Sequence, residues 1–123
     1  MSNLNQAQNG ITVGYLNVYH LINKFHEVNI LMNNHSDKVH LFGISESWLD
    51  DNTDNSSIHI NNYSIIRKDK DKSKHGHHGI AIYIHDSIQN FVKRRSDLES
   101  DKIETIWLEF RINKSPPAFI CFL

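Results

Sequence analysis

Glu46 closes the apolar run Gly43-Ile44-Ser45 and is followed by Ser47-Trp48-Leu49. A strand that ends in a carboxylate sets a hard oxygen at the rim of a sheet, where layered α/β proteins gather their ligands. Asn17 stands in the same kind of place, as the first strongly polar side chain after the strand-like residues 11–16. Two parallel strands joined by the helix between them would set these ends side by side, and their oxygens would converge. Mg2+ is held by one or two carboxylates, with water and substrate phosphate filling the rest of its shell. Glu46 is therefore a sufficient protein anchor, and Asn17 a group to orient a phosphate oxygen or the carboxylate itself. The plainer alternative has Asn17 capping the next helix and Glu46 as a solvated first-turn acid.

A second candidate is the run 67–78, in which Arg67, Lys68, Lys70, Lys72 and Lys74 outnumber Asp69 and Asp71. Such a loop either grips a DNA phosphate backbone or is simply a solvated surface loop. His75, His77 and His78 invite a zinc reading, but they lack helical i, i+4 spacing and any CxxC partner. Cys121 has no neighbour in the sequence that would lower its pKa, and reads as a small apolar strand residue. Trp48 and Trp107 read as core residues or as lids over a sheet edge.

Hydrophobic periodicity indicates the elements that must position these groups. Residues 11–16 form a first strand, rich in β-branched side chains. From 19 or 20 to about 34, Leu21, Ile22, Phe25, Val28, Leu31 and Met32 recur at three- and four-residue steps, the spacing of one helix face. Residues 39–45 are almost wholly apolar, which predicts a central strand. The Asp-, Asn- and Ser-rich stretch 50–62 predicts a surface connection. Strands follow at 63–67, at 79–85 with two unlike faces, at 89–93, at 103–112 as the longest, and at 118–123 after Pro116 and Pro117.

The bulk composition fits one globular domain: 123 residues, 39% hydrophobic, with a formal charge of -1 that favours no polyanionic partner overall. Nine histidines make the charge sensitive to mild acid, since free imidazole titrates near pH ~6.5. A single cysteine excludes an internal disulfide and suits a reducing, intracellular compartment. No apolar run approaches the ~20 residues that span a bilayer, so no membrane association is expected.

Taken in order, several segments resemble one family: Gly14-Tyr15-Leu16-Asn17-Val18; Gly43-Ile44-Ser45-Glu46-Ser47-Trp48-Leu49; Asn62-Tyr63 with Ile66-Arg67-Lys68-Asp69; His78-Gly79-Ile80-Ala81-Ile82-Tyr83-Ile84; and Glu104-Thr105-Ile106-Trp107-Leu108-Glu109. The chain is similar to the N-terminal half of the endonuclease/exonuclease/phosphatase domain, in the form that opens non-LTR retrotransposon polyproteins of the jockey-like kind. The resemblance implies an α/β fold, the N-terminal half of a two-sheet, four-layer sandwich. It divides the chain into a disordered tail, 1–10, and a partial domain, 11–123. By the same resemblance Glu46 is a metal ligand and Asn17 lines the same site. The cofactor is Mg2+ or Mn2+, the partner is DNA, and the reaction is a nick that exposes a priming 3′-hydroxyl in the nucleus.

This chain departs from the family pattern at Tyr19 and His20, where Arg and Ser often follow Asn-Val, and at Gly76-His77-His78-Gly79, where a glycine run is usual. The family also has Gly-Asp-Phe-Asn and Ser-Asp-His segments after the strand at 118–123, the latter carrying the general base, and neither occurs here. The expectation is a truncated piece, catalytically silent alone, with uncovered sheet surface that favours self-association. The alternatives are another phosphoesterase of the same superfamily or a non-catalytic retroelement remnant.

Overall fold

The computed structural model describes residues 10–69 and 78–123. The chain is mixed α and β. Its elements are β1 (Val13–Asn17), α1 (Leu21–Asn34), β2 (Leu41–Ser45), β3 (Tyr63–Lys68), β4 (Ile80–His85), β5 (Val92–Arg94), β6 (Ile106–Phe110) and β7 (Ala118–Phe122). One open sheet has the order β1-β2-β4-β3 and the other β5-β6-β7. β1 and β2 are parallel, as the strand–helix–strand reading required, and every other pair is antiparallel.

Alternation along β4 explains the layering. Ile80, Ile82 and Ile84 join Leu41, Ile106, Leu108 and Phe122 in a core between the two sheets. Ala81 and Tyr83 face the other way, into a second core with Leu21, Val28 and Met32 of α1 and with Phe42 and Ile44 of β2. The two unlike faces of β4 are thus both buried, and every residue of β2 and β4 is inaccessible. The Tyr83 hydroxyl survives burial because it donates to Ile58 O at 2.7 Å.

Three sequence expectations are corrected. The connection 50–62 is not wholly superficial: Ile58 and Ile60 are fully buried beneath α1 with Leu49, because they supply apolar surface that the helix alone does not. The strand expected at 103–112 shortens to β6, since Ile103 pairs only with Ser100 across a turn and is 58% exposed. Asn17 does not cap α1, whose N-cap is His20 with no side-chain cap bond. The tail expected at 1–10 lies outside the described residues except for Gly10. Exposed apolar side chains collect on β1 and β7, at Val13, Tyr15 and Phe119, where each sheet has an open edge. These edges lie close together, for the Tyr15 hydroxyl donates to Leu123 O at 3.3 Å.

Gly43 sits under the Phe122 ring, and a Cβ added there would overlap it. Gly43→Ala should therefore cost about 1–3 kcal/mol, the usual cost of overpacking. Urea unfolding followed by tryptophan fluorescence checks this, and Phe122→Ala should recover part of the loss in the double variant.

Two buried histidines close the sheet at the end remote from Glu46. Thr12 N donates to His40 Nδ1 at 2.8 Å, Ser87 N donates to His85 Nδ1 at 3.1 Å, and His85 N donates to His40 O at 2.8 Å. Both Nδ1 atoms must be unprotonated to accept. Burial holds the His85 pKa below its ordinary value; nearby His40 acts in the same direction and Asp86 opposes it. The stability His85 contributes is therefore fully present above the unfolded pKa of ~6.5 and is lost as pH falls from there toward the lowered folded value. The urea midpoint should drop between about pH 7 and 5, and His85→Asn, which keeps an acceptor for Ser87 N–H, should flatten that drop.

Candidate functional site

Asn17 lies opposite Ser45 in the parallel β1–β2 ladder, so Glu46 follows one step beyond the matched strand ends. Backbone pairing continues past the strands. Val18 N donates to Ser45 O at 3.2 Å, His20 N to Glu46 O at 2.9 Å and Leu21 N to Ser47 O at 2.9 Å. These bonds start α1 without a side-chain cap and tie its first turn to the segment that carries Glu46. Two candidate residues far apart in sequence are thus brought to neighbouring strand ends.

The backbone here is strained. Tyr19, His20, Glu46 and Trp48 have φ of 52°, 93°, 54° and 58°, and they are four of the six non-glycine residues with positive φ among the described residues. Such conformations cost of order 1–3 kcal/mol each and collect where a site needs a side chain aimed against local preference. The other wall is Gly79, at φ 105°, whose carbonyl accepts from Ser47 N at 3.1 Å and whose N–H donates to Glu104 Oε1 at 3.0 Å. A side chain at Gly79 would collide with Ser47 Oγ. One residue therefore links the Glu46 segment to a second carboxylate.

The Ser45 and Ser47 hydroxyls and His20 Nδ1 are buried beside Glu46 and have no hydrogen-bond partner among the described residues. Buried polar atoms are normally satisfied, so these are exceptions within the two segments that meet at Glu46. No group of three or more His, Cys, Asp or Glu is arranged around a metal position among the described residues. Glu46 and Asn17, at the matched ends of β2 and β1, carry oxygen donors of the kind a hard ion takes, and no group of three zinc-type ligands stands with them among the described residues.

The remaining expected residues divide clearly. Asn17 is exposed, and besides its place at the strand end it lines a cleft of about 300 Å3 between β1 and α1 with Leu16, Val18, Lys24, Glu27, Val28 and Leu31. Glu46 does not line that cleft. Arg67 is engaged internally: it pairs with Asp69 through Nε and Nη2, at 2.8 and 2.7 Å, and donates to Thr53 O, Asn55 Oδ1 and Asp50 O. Lys68 reaches Thr105 O at 3.1 Å and Glu99 at 3.4 Å, where Arg94 holds the Glu99 carboxyl below its ordinary range. Lys70, Lys72, Lys74, His75 and His77 lie outside the described residues. His78 presents its carbonyl to Trp48 N at 2.9 Å. Burial raises the Cys121 thiol pKa, which suits a strand residue and not a nucleophile.

Sequence reading missed Glu104 and the role of Tyr19 and His20. Glu104 looked like one alternating residue of a long strand, and only the shortening of β6 frees it to reach Gly79. Compared with known proteins, the chain matches no family model and no curated protein.

Arg67 fastens β3 to the 50–55 segment that follows Trp48 and Leu49. Arg67→Gln should lower stability by about 1–3 kcal/mol, as expected when hydrogen bonds to a charged group are lost. Urea denaturation should show the loss, with salt reducing the difference between the two proteins only slightly, since the Arg67 side chain is 14% exposed.

Proposed function

We propose that this chain carries the ion-anchoring part of a divalent-metal-dependent phosphodiesterase that acts on DNA, within a fold of the endonuclease/exonuclease/phosphatase kind. The observation that carries the reading is the locking of the Glu46 segment onto the start of α1, through His20 N to Glu46 O at 2.9 Å, which holds Glu46 one step beyond the matched ends of β1 and β2. A helix layer over a mixed sheet, packed on a second sheet, is compatible with half of that four-layer sandwich. On this reading the parent activity is the target-nicking step of a non-LTR retroelement, performed on nuclear DNA.

Glu46 holds the ion, and Asn17 turns a phosphate oxygen toward it. A bound Mg2+ or Mn2+ supplies charge stabilisation at the phosphate oxygens and the leaving oxygen. The general base that the resemblance places in a Ser-Asp-His segment has no counterpart of that sequence in these 123 residues. On this reading the 123 residues hold the ion and nick no DNA by themselves.

Mn2+ titration followed by electron paramagnetic resonance tests the anchor. Glu46→Gln should weaken Mn2+ binding at least about tenfold, because a charged oxygen becomes a neutral one, while Asp37→Asn, an exposed change before the opposite end of β2, should not. Equal weakening by both would sink the assignment. Supercoiled DNA with Mg2+ should remain un-nicked by the 123 residues, and robust nicking that survives Glu46→Gln would overturn the proposed role.

A further inference from the structure

The segment that bears Glu46 also carries a cluster of rings. The Tyr19 and Trp48 centroids lie 5.3 Å apart at 46°, and His20 and Trp48 lie 4.8 Å apart at 53°. Tyr19 is 54% exposed and is the outermost of the three, whereas the core tyrosines Tyr63 and Tyr83 are 2% and 1% exposed. All three ring residues have positive φ. A chain that merely needed a turn here would place Gly or Asn at such positions. Three aromatic residues held in strained backbone, with the outer one turned to solvent, are a built surface and not leftover core.

We infer that the Tyr19, Trp48 and His20 rings form a stacking site for an unpaired nucleobase of a DNA strand whose phosphate lies at Glu46. This rests on the reading of Glu46 as facing a DNA phosphate. Bases within a duplex hide their faces in the stack, so an exposed ring selects a base that is unpaired or displaced. Stacking on aromatic rings tolerates any base, because every base offers a π-face. Trp48 sits two residues from Glu46, and His20 is bonded to the Glu46 carbonyl, so base and phosphate would be gripped by one rigid unit.

Titrations with an eight-nucleotide oligothymidylate, against an abasic phosphodiester of the same length, test this in the presence of Mg2+. In a Trp107→Phe background the emission reports Trp48 alone, since the chain has two tryptophans. The same ratio of affinities is measured on the wild-type chain by anisotropy of labelled oligonucleotides. Oligothymidylate should quench Trp48 and bind about tenfold more tightly than the abasic strand, the effect of one stacked base. Tyr19→Ala should abolish that preference and Tyr19→Phe should keep it. No binding, equal affinity for the two strands, or a preference that survives Tyr19→Ala would each overturn the inference. The Mn2+ titration separates the two readings. Ion binding anchored at Glu46 without base preference refutes the stacking site alone, and base preference with Mn2+ binding indifferent to Glu46→Gln refutes the ion anchor alone.

Discussion

The absence of a side chain at Gly43 sets how closely the two sheets approach. Phe122 of β7 lies over that gap, and its ring stands where any larger residue on β2 would be. Because the second sheet can settle there, β2 is covered on both faces, by β7 on one side and by α1 on the other. A strand covered twice cannot shift register without exposing one apolar set, so its end is held in a fixed place. Everything proposed for Glu46 depends on that fixed end.

The strand end itself trades local comfort for position. Four residues with positive φ oppose the fold locally, each by of order 1–3 kcal/mol. Against this stand the backbone bonds from Val18, His20 and Leu21 to the Ser45–Ser47 segment, and those from Ser47 and Trp48 to Gly79 and His78. A typical hydrogen bond contributes about 0.5–1.5 kcal/mol net, so the five together are of the same order as the strain. The two cores that clamp β1, β2 and β4 below the site add to them. The site is rigid because the sheet is, and not because its own loops are comfortable.

The sheet was largely legible in the sequence, since β4 and α1 carry clean two- and three-to-four-residue periods and β2 is an unbroken apolar run. What escaped was information held in tertiary pairing. Ile58 and Ile60 sit among turn-forming residues, and only the presence of α1 overhead makes their burial worthwhile. Arg67 looked like part of a cationic surface, yet its guanidinium closes on Asp69 and the carbonyls of Asp50 and Thr53, a fork geometry that no one-dimensional charge count reveals. Glu46 and Asn17 were legible by place alone. Their juxtaposition followed from a parallel crossover, and that pairing is present in β1 and β2.

Tyr19 and His20 show the same limit from the other side. As letters they were departures from a pattern in which Arg and Ser often stand at these places. In three dimensions His20 N–H holds the Glu46 carbonyl through the main chain, while its ring packs on Trp48 and the Tyr19 ring stands outermost. The backbone role and the side-chain role are therefore separable. A substitution at Tyr19 can alter what the rim touches without moving the carboxylate, because the bond that positions Glu46 belongs to the main chain. On the proposed reading, that separation would let the anchor at Glu46 stay constant while the surface beside it changes.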